Sequence, residues 1–486
     1  MYSKIFVNAV DPDECRIANI QNNKLEEFHV ERATKKITHG NIYKGVITRV
    51  EPGLQAVFVD YGAERHGFLQ KNEIHSDYYK DNPTGGRSIK DLVERGQEML
   101  VQVTKDPFMK KGAMLTTNIS LPGRHVVLMP GSKNRGISRK IEKEKERARL
   151  KEIIGKLKLP EDFGLIIRTA GSDCTKTIID KDIKYLLRLW KNIQKNVQKE
   201  KAPVFLYKER SLVVRSIRDY FSPDVTEILV DNEDVYHEAR EFIKIISPKH
   251  TKIVKLHKSE KPIFTKFNIE DQIASIYKNK VLLKSGGSIV IDPTEALVAI
   301  DVNSGKAVQK MTVEQTAVHT NMEAAEEIAR QLRLRDLGGL IVLDFIDMRD
   351  SKHKASVEKA MKVNLKGDKA KTKVGRISQF GLMEMSRQRI RPTIEYSSFE
   401  ICKYCKGKGQ TPSSETLGLG FLRKLSLETL KHDISLINCM VPPDVAFYLL
   451  NKKKKEIYDL ETRRGISIFI TSDRSMMPGD DKIICS

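Results

Sequence analysis

The chain has 486 residues, 40% hydrophobic and 31% charged, and 85 Lys and Arg against 64 Asp and Glu leave a formal charge of +21. No run approaches the roughly 18 apolar residues that cross a bilayer, and Met1–Val10 lacks the apolar core of a secretory signal, so a cytoplasmic protein with no membrane segment is expected. Six cysteines are too few for a secreted disulfide scaffold of this length, and the basic excess favours a polyanionic partner, because each neutralised phosphate releases condensed counterions.

In chain order, residues 1–36 alternate apolar and polar positions and read as strands. From 37 to 117 the pattern is all-β, with short strands at Ile42–Val50, Gln55–Tyr61 and Gly67–Leu69 punctuated by Pro52-Gly53 and Tyr61-Gly62; a small barrel is the natural closure. Within Gln55–Tyr61, alternation puts Val57, Val59 and Tyr61 on a core-like face and Ala56, Phe58 and Asp60 on the other. Phe58, and Phe68 in the next strand, can then be stacking platforms for unpaired bases or ordinary core rings. Residues 138–158 read as a helix with opposite charges at i,i+4, a solvated face rather than a binding site. Gly164–Gly171 is an apolar strand that ends in Arg168 and Thr169, a cation and a hydroxyl suited to phosphate oxygens. Most arginines after strands are surface charges, so the segment alone says little.

The stretch 280–350 is the most informative. Leu297–Ile300 and Leu340–Leu343 are apolar at every position, as in strands covered on both faces, and each ends in an aspartate, Asp301 and Asp344. A helix from about Thr312, its cap, to Leu337 lies between them and is stopped by Gly338-Gly339. Strand, helix, strand at this length implies a crossover between parallel strands, which delivers both aspartates to one end of the sheet. Two such carboxylates repel unless a cation sits between them, and hard oxygen ligands suit magnesium. Asn303, two residues on, can orient a ligand water or a phosphate.

Cys402-Lys-Tyr-Cys405 has the spacing of one zinc knuckle, but closed structural zinc needs four ligands. His432 and Cys439, the nearest other candidates, lack knuckle spacing. A redox pair, an incidental pair and a zinc site completed by a second chain all stay open. Residues 413–486 read as a small α/β domain.

Several of these strings resemble the ribonuclease E/G family. They are Asp301-Val-Asn-Ser-Gly, Gly338-Gly-Leu-Ile-Val-Leu-Asp344-Phe-Ile-Asp-Met and Glu327-Ile-Ala-Arg-Gln-Leu-Arg-Leu-Arg-Asp-Leu-Gly-Gly339. Gly40–Gly45, Val59–Leu69 and Gly164–Gly171 extend the likeness to nearly the whole chain, whose length is that of ribonuclease G or the catalytic half of ribonuclease E. The resemblance implies a multidomain α+β and α/β chain. A ribonuclease-H-like domain (1–36 and 211–274) would be interrupted by an OB-fold RNA-binding barrel (37–117) and a 5′-phosphate sensor (118–210). A deoxyribonuclease-I-like catalytic domain (275–397), a zinc link (398–412) and a small C-terminal domain (413–486) would follow.

By the same resemblance, Asp301 and Asp344 hold catalytic Mg2+ with Asn303 in support, and Asp347 is structural or secondary. Phe58, Phe68 and Lys111 contact RNA; Arg168 and Thr169, supported by Val127 and Arg139, sense a 5′ monophosphate. Cys402 and Cys405 share one Zn2+ with a second subunit in a homodimer or homotetramer. The implied activity is a magnesium-dependent endoribonuclease of RNA processing and decay. It would hydrolyse single-stranded RNA to 5′-phosphate and 3′-hydroxyl ends and be favoured by a 5′ monophosphate. Two features depart from the family pattern: Lys403 stands where proline is common, and Gln379 where many relatives carry a basic residue. A non-catalytic RNA-binding or remodelling protein would leave the carboxylate pair idle; a metal-dependent DNA nuclease or phosphatase would leave the phosphate sensor unexplained.

Overall fold

The alternating N-terminal pattern forms three antiparallel strands, β1 (Ser3–Asn8), β2 (Glu14–Gln21) and β3 (Lys24–Arg32). Ile5 and Val7 enter one apolar cluster and Phe6 another, so β1 is covered on both faces. In this computed structural model the described residues are all except 1–2, 33–37, 81–87, 108–110, 210, 223, 306–311, 392, 395–397 and 432–433. The chain divides into two units, Met1–Ser397 and Ser398–Ser486.

Strands β4 (Ile42–Glu51), β5 (Ala56–Asp60), β6 (Gly67–Gln70), β7 (Glu98–Lys105) and β8 (Met114–Thr116) close a five-stranded barrel in the order β4-β5-β6-β8-β7 and back to β4. Its core takes Val57, Val59, Tyr61, Leu69, Val101 and Leu115. Gly67 is required where β6 meets β8, since a Cβ there would lie 2.3 Å from Leu115 Cδ1. Ala56, expected on the polar face, is fully buried at the strand's start.

Strands β9 (Leu121–Pro122), β10 (Val126–Pro130), β11 (Arg135–Ile137) and β12 (Phe163–Ile167) make a small sheet. The long helix Lys176–Lys199 packs on it through Ile179, Ile183, Leu186 and Ile193. The helix expected over 138–158 spans only Glu144–Gly155. Burial of Ile141 bends the chain before it, the Ile141 amide bonds back to Ser138, and the Arg147 guanidinium closes the turn on the Ser138 and Ile141 carbonyls. Strand β13 (Val204–Tyr207) pairs with β4; β14 (Val225–Val230) then pairs parallel with β1, and β15 (Val254–Leu256) parallel with β14. The first sheet is thereby completed as β3-β2-β1-β14-β15.

The next sheet runs β16 (Lys280–Leu282), β17 (Ser288–Pro293), β18 (Leu297–Asn303), β19 (Gly339–Asp344), β21 (Leu382–Arg387) and β20 (Thr372–Ile377), and only β18 and β19 are parallel. The crossover helix is Val313–Leu334, with Thr312 and Gln315 forming a reciprocal capping box. It ends earlier than expected, and not at the glycines. Asp336 adopts a left-handed φ of +51°, and the Leu337 amide returns to the Leu332 carbonyl at 3.1 Å, a closure that satisfies the last turn. Burial on this sheet is also less symmetrical than the apolar runs implied. Val298, Ile300, Ile341 and Leu343 are buried beneath the helix, Ala299 and Val342 are half-buried, and Leu340 is 49% exposed. Those runs fill one deep face and one shallow face.

In the second unit, β22 (Leu436–Val441) lies between parallel β23 (Ser467–Ser472) and antiparallel β24 (Lys482–Cys485). Phe421, Leu425 and Leu449 from flanking helices pack on it. Among the described residues, no helix is long and apolar enough to cross a membrane.

Candidate functional site

Asp301 and Asp344 are register partners at the ends of β18 and β19. Both are exposed, while Ile300, Val302, Leu343 and Phe345 beside them are buried. Strand alternation returns Asn303 to the face of Asp301, and its Nδ2 donates to Asp301 Oδ2 at 2.5 Å. That bond fixes one carboxylate oxygen. The Asp344 carboxyl is held above its usual range, by partial burial first and then by the negative charges of Asp301 and Asp347.

The loop after Asp344 is pinned by two side chains of the crossover helix that sequence reading did not assign to the site. Fully buried Asn321 exchanges two hydrogen bonds with the Ile346 backbone, at 2.8 and 3.0 Å. The Glu314 carboxylate accepts the Arg349 and Asp350 amides and bonds His353 Nδ1 at 2.9 Å; the His353 contact leads the effects that hold Glu314 below its usual range. Glu314 stands in the first turn of the helix, where an acidic residue is in sequence an ordinary helix-start signal. Asp347 approaches the β20–β21 turn at Gly381, where a Cβ would sit 3.2 Å from Asp347 Oδ1. Among the described residues no group of three or more metal-ligating side chains comes together. Two carboxylates and an amide are a donor set for a cation that keeps most of its waters, which is how magnesium binds.

On the barrel, Phe58 and Phe68 face each other across β5 and β6, their rings 5.7 Å apart and inclined at 64°. Both are half-buried, outside the core, and the Arg49 guanidinium lies 4.5 Å over the Phe58 ring. A ring pair with a cation beside it on an outer face matches the chemistry of an unpaired base and its phosphate. Lys111 is exposed next to Gly112, where a Cβ would lie 2.2 Å from the His66 carbonyl oxygen; this close approach sets Lys111 beside the start of β6.

Arg168 follows β12, but its guanidinium is engaged. Nη1 donates to the Gly123 carbonyl at 2.7 Å and Nη2 to Asp219 Oδ1 at 2.8 Å. Burial would raise the Asp219 carboxyl, yet Arg218 and Arg168 beside it hold it well below the usual range. Thr169 is exposed at the first position of the turn, and Val127 is half-buried opposite Ile166, on the same face as Arg168. The Ser138 amide bonds the Ile167 carbonyl, which brings exposed Arg139 to the same edge. Asp219 had no local sequence signal, since it meets Arg168 from 51 positions away.

In the second unit, Lys406, Gly407 and Gly409 take positive φ and curl the chain around Cys405. Amide donors led by Gly409 and Gly407 lower the Cys405 thiol pKa, favouring the thiolate that a metal needs. Cys439 is fully buried in that unit's core, and burial pushes its thiol up to about 12. His432 lies outside the described residues.

Comparison with known proteins gives three matches along the chain. The Ribonuclease E/G family profile covers residues 120–390, an S1 RNA binding domain covers 36–106, and the thioredoxin-like domain of RNase E/G covers 401–484. Ribonuclease E of Haemophilus influenzae is 44% identical over 476 residues, 97% of this chain and 51% of that protein. Ribonuclease E of Escherichia coli is 44% identical over 478 residues, 97% of this chain and 45% of its own length. Ribonuclease G of Escherichia coli is 37% identical over 466 residues, 95% of each. The chain thus spans about half the length of the ribonuclease E relatives it matches.

Proposed function

The chain belongs to the ribonuclease E/G family, and from that premise we propose that it is a magnesium-dependent cytoplasmic endoribonuclease of RNA processing and decay. It cuts single-stranded RNA to 5′-phosphate and 3′-hydroxyl ends. The observation that carries this reading is the in-register pair Asp301 and Asp344, with one Asp301 oxygen fixed by Asn303. The two aspartates would hold the metal, which when bound activates water and offsets charge developing on phosphorus. Asn303 orients Asp301, while Asn321 and Glu314 keep the loop after Asp344 from moving as the substrate binds.

Phe58 and Phe68 supply stacking for unpaired bases, and Lys111 a phosphate contact. Arg168 and Thr169, with Val127 and Arg139 in support, form the 5′-monophosphate sensor. In that reading Asp219 keeps the Arg168 guanidinium in place before the phosphate arrives. The sheet order β3-β2-β1-β14-β15, with β14 and β15 parallel to β1, supports a ribonuclease-H-like domain interrupted by the barrel and the sensor. The mixed sheet carrying Asp301 and Asp344 is assigned as the deoxyribonuclease-I-like catalytic domain. Cys402 and Cys405 provide half of a zinc site, completed by a second subunit of a homodimer or homotetramer.

The test compares a 5′-monophosphorylated RNA, its 5′-hydroxyl twin and a DNA of the same sequence, each incubated with the full chain and magnesium. Internal cuts in both RNAs, faster in the first, with the DNA intact are expected. Cleavage of the DNA at a similar rate points to a general metal nuclease, and binding of RNA without cleavage to a remodelling protein.

A further inference from the structure

Strand β20 is the open edge of the sheet that carries Asp301 and Asp344, and its partner β21 sets Leu382 in register with Asp344. The turn joining β20 to β21, Ser378-Gln379-Phe380-Gly381, is therefore beside the carboxylate pair. The turn is well tied. The Ser378 amide donates to the Leu382 carbonyl at 2.8 Å, the Gly381 amide to the Ser378 carbonyl at 3.1 Å, and the Phe380 amide to Ser378 Oγ at 3.2 Å. At its tip Phe380 is 77% exposed. A single apolar side chain on a surface is ordinary; an aromatic ring held out on a closed turn, two residues from the register partner of Asp344, is placed where substrate must pass.

A second observation lies along the same edge. The pairing of β20 with β21 slips between Val374 and Ile377, and this bulge keeps both of those side chains packed on the core while Gly375 and Arg376 face solvent. Bulges near active sites re-aim side chains in this way. Arg376 and Lys373 are both exposed, and neither meets an acidic partner among the described residues. Cations along an edge that lead to an exposed ring are the arrangement that follows a single strand, phosphates on the charges and a base on the ring.

We propose that the β20–β21 hairpin is a contact surface for single-stranded RNA at the cleavage centre, with Phe380 stacking on an unpaired base next to the scissile phosphate and Arg376 binding a neighbouring phosphate. The proposal rests on the nuclease reading of Asp301 and Asp344. It assigns base stacking near the cut to a residue outside the barrel.

The experiment uses the full chain and a fluorescein-labelled single-stranded RNA with one cut site, measured both by cleavage kinetics and by binding anisotropy without magnesium. Phe380→Ala is expected to raise KM and Kd by about tenfold, toward the low end for loss of one base stack, with a smaller change in kcat. Phe380→Trp restores most of the loss. An RNA lacking the contacted base is handled alike by the native chain and Phe380→Ala. Arg376→Gln should reduce the slope of log affinity against log salt by about 0.7, the value for one phosphate on a single strand. Unchanged KM and Kd in Phe380→Ala, or a tryptophan variant no better than the alanine one, overturns the proposal. If the native chain cuts no RNA, the nuclease reading fails, while the anisotropy arm still decides whether this hairpin holds the strand.

Discussion

Partial burial first, and then the negative charges of Asp301 and Asp347, raise the proton affinity of the Asp344 carboxyl. A hard cation binds the ionised carboxylate, so a raised pKa moves the acid limb of the cleavage profile to higher pH. Asp347→Asn removes one of the negative charges and should shift that limb to lower pH, with activity at neutral pH retained. Cleavage measured from pH 5 to 8 at saturating magnesium checks this; an unmoved limb would mean that Asp347 does not act on Asp344. At this scale the sequence was informative about Asp301 and Asp344, because an aspartate that closes an apolar run emerges exposed near the end of its strand. It was silent on Asp347, since nothing in Asp-Phe-Ile-Asp tells how the loop turns; buried Asn321 and the Glu314 carboxylate decide that.

At the scale of elements, the barrel strands follow their alternation except at buried Ala56, and the Phe58 ring stands on the face the pattern gave it, opposite Phe68. Phe58→Ala and Phe68→Ala should each weaken binding of single-stranded RNA by about 1–3 kcal/mol while the barrel still unfolds cooperatively. Loss of cooperative melting in either variant would place that ring in the core. The segment that ends in Arg168 behaves differently, because Arg168 answers to a carboxylate that no local pattern reveals. Arg168→Ala should bring the ratio of cleavage rates for 5′-monophosphorylated and 5′-hydroxyl RNA close to one. It should also lower the melting temperature. Asp219 has a depressed pKa in the folded chain, so its stabilisation is present above the unfolded value of about 4 and lost as pH falls through the folded value. Losing Arg168 shrinks that depression. The melting penalty should therefore persist from neutral pH down through the usual carboxylate range and fade only as pH falls through the folded range of Asp219, which Arg218 still depresses. An equal penalty for Arg168→Ala in an Asp219→Asn background would show that the Arg168–Asp219 pair is not its source. Helix ends were the least legible elements: burial of Ile141 shortened one helix, and Asp336 in a left-handed conformation ended another before its glycines.

For the whole molecule, periodicity could not show that β14 and β15 return to pair with β1 after the barrel and sensor, because such pairing is decided by packing between distant segments. Family likeness supplied only the expectation of a domain split between residues 1–36 and 211–274. Assembly is the other question beyond a single chain. One knuckle offers two thiolates where closed zinc needs four ligands, so about 0.5 zinc per chain is expected by metal analysis, the ratio for one site shared by two knuckles. Cys402→Ser with Cys405→Ser should lower both zinc content and oligomer mass. A monomer with one full zinc per chain would contradict the shared site.

The nuclease centre itself is tested most directly by neutralising its two carboxylates one at a time. Asp301→Asn and Asp344→Asn are compared with the native chain for cleavage of a single-stranded RNA in magnesium and for affinity to the same RNA. Each should lose cleavage while affinity stays within about tenfold, because most binding comes from phosphate and base contacts elsewhere. Because a hard cation is held mainly by charged oxygen ligands, retention of more than roughly a few per cent of native cleavage in both variants would contradict the assignment of Asp301 and Asp344 as the metal-binding pair.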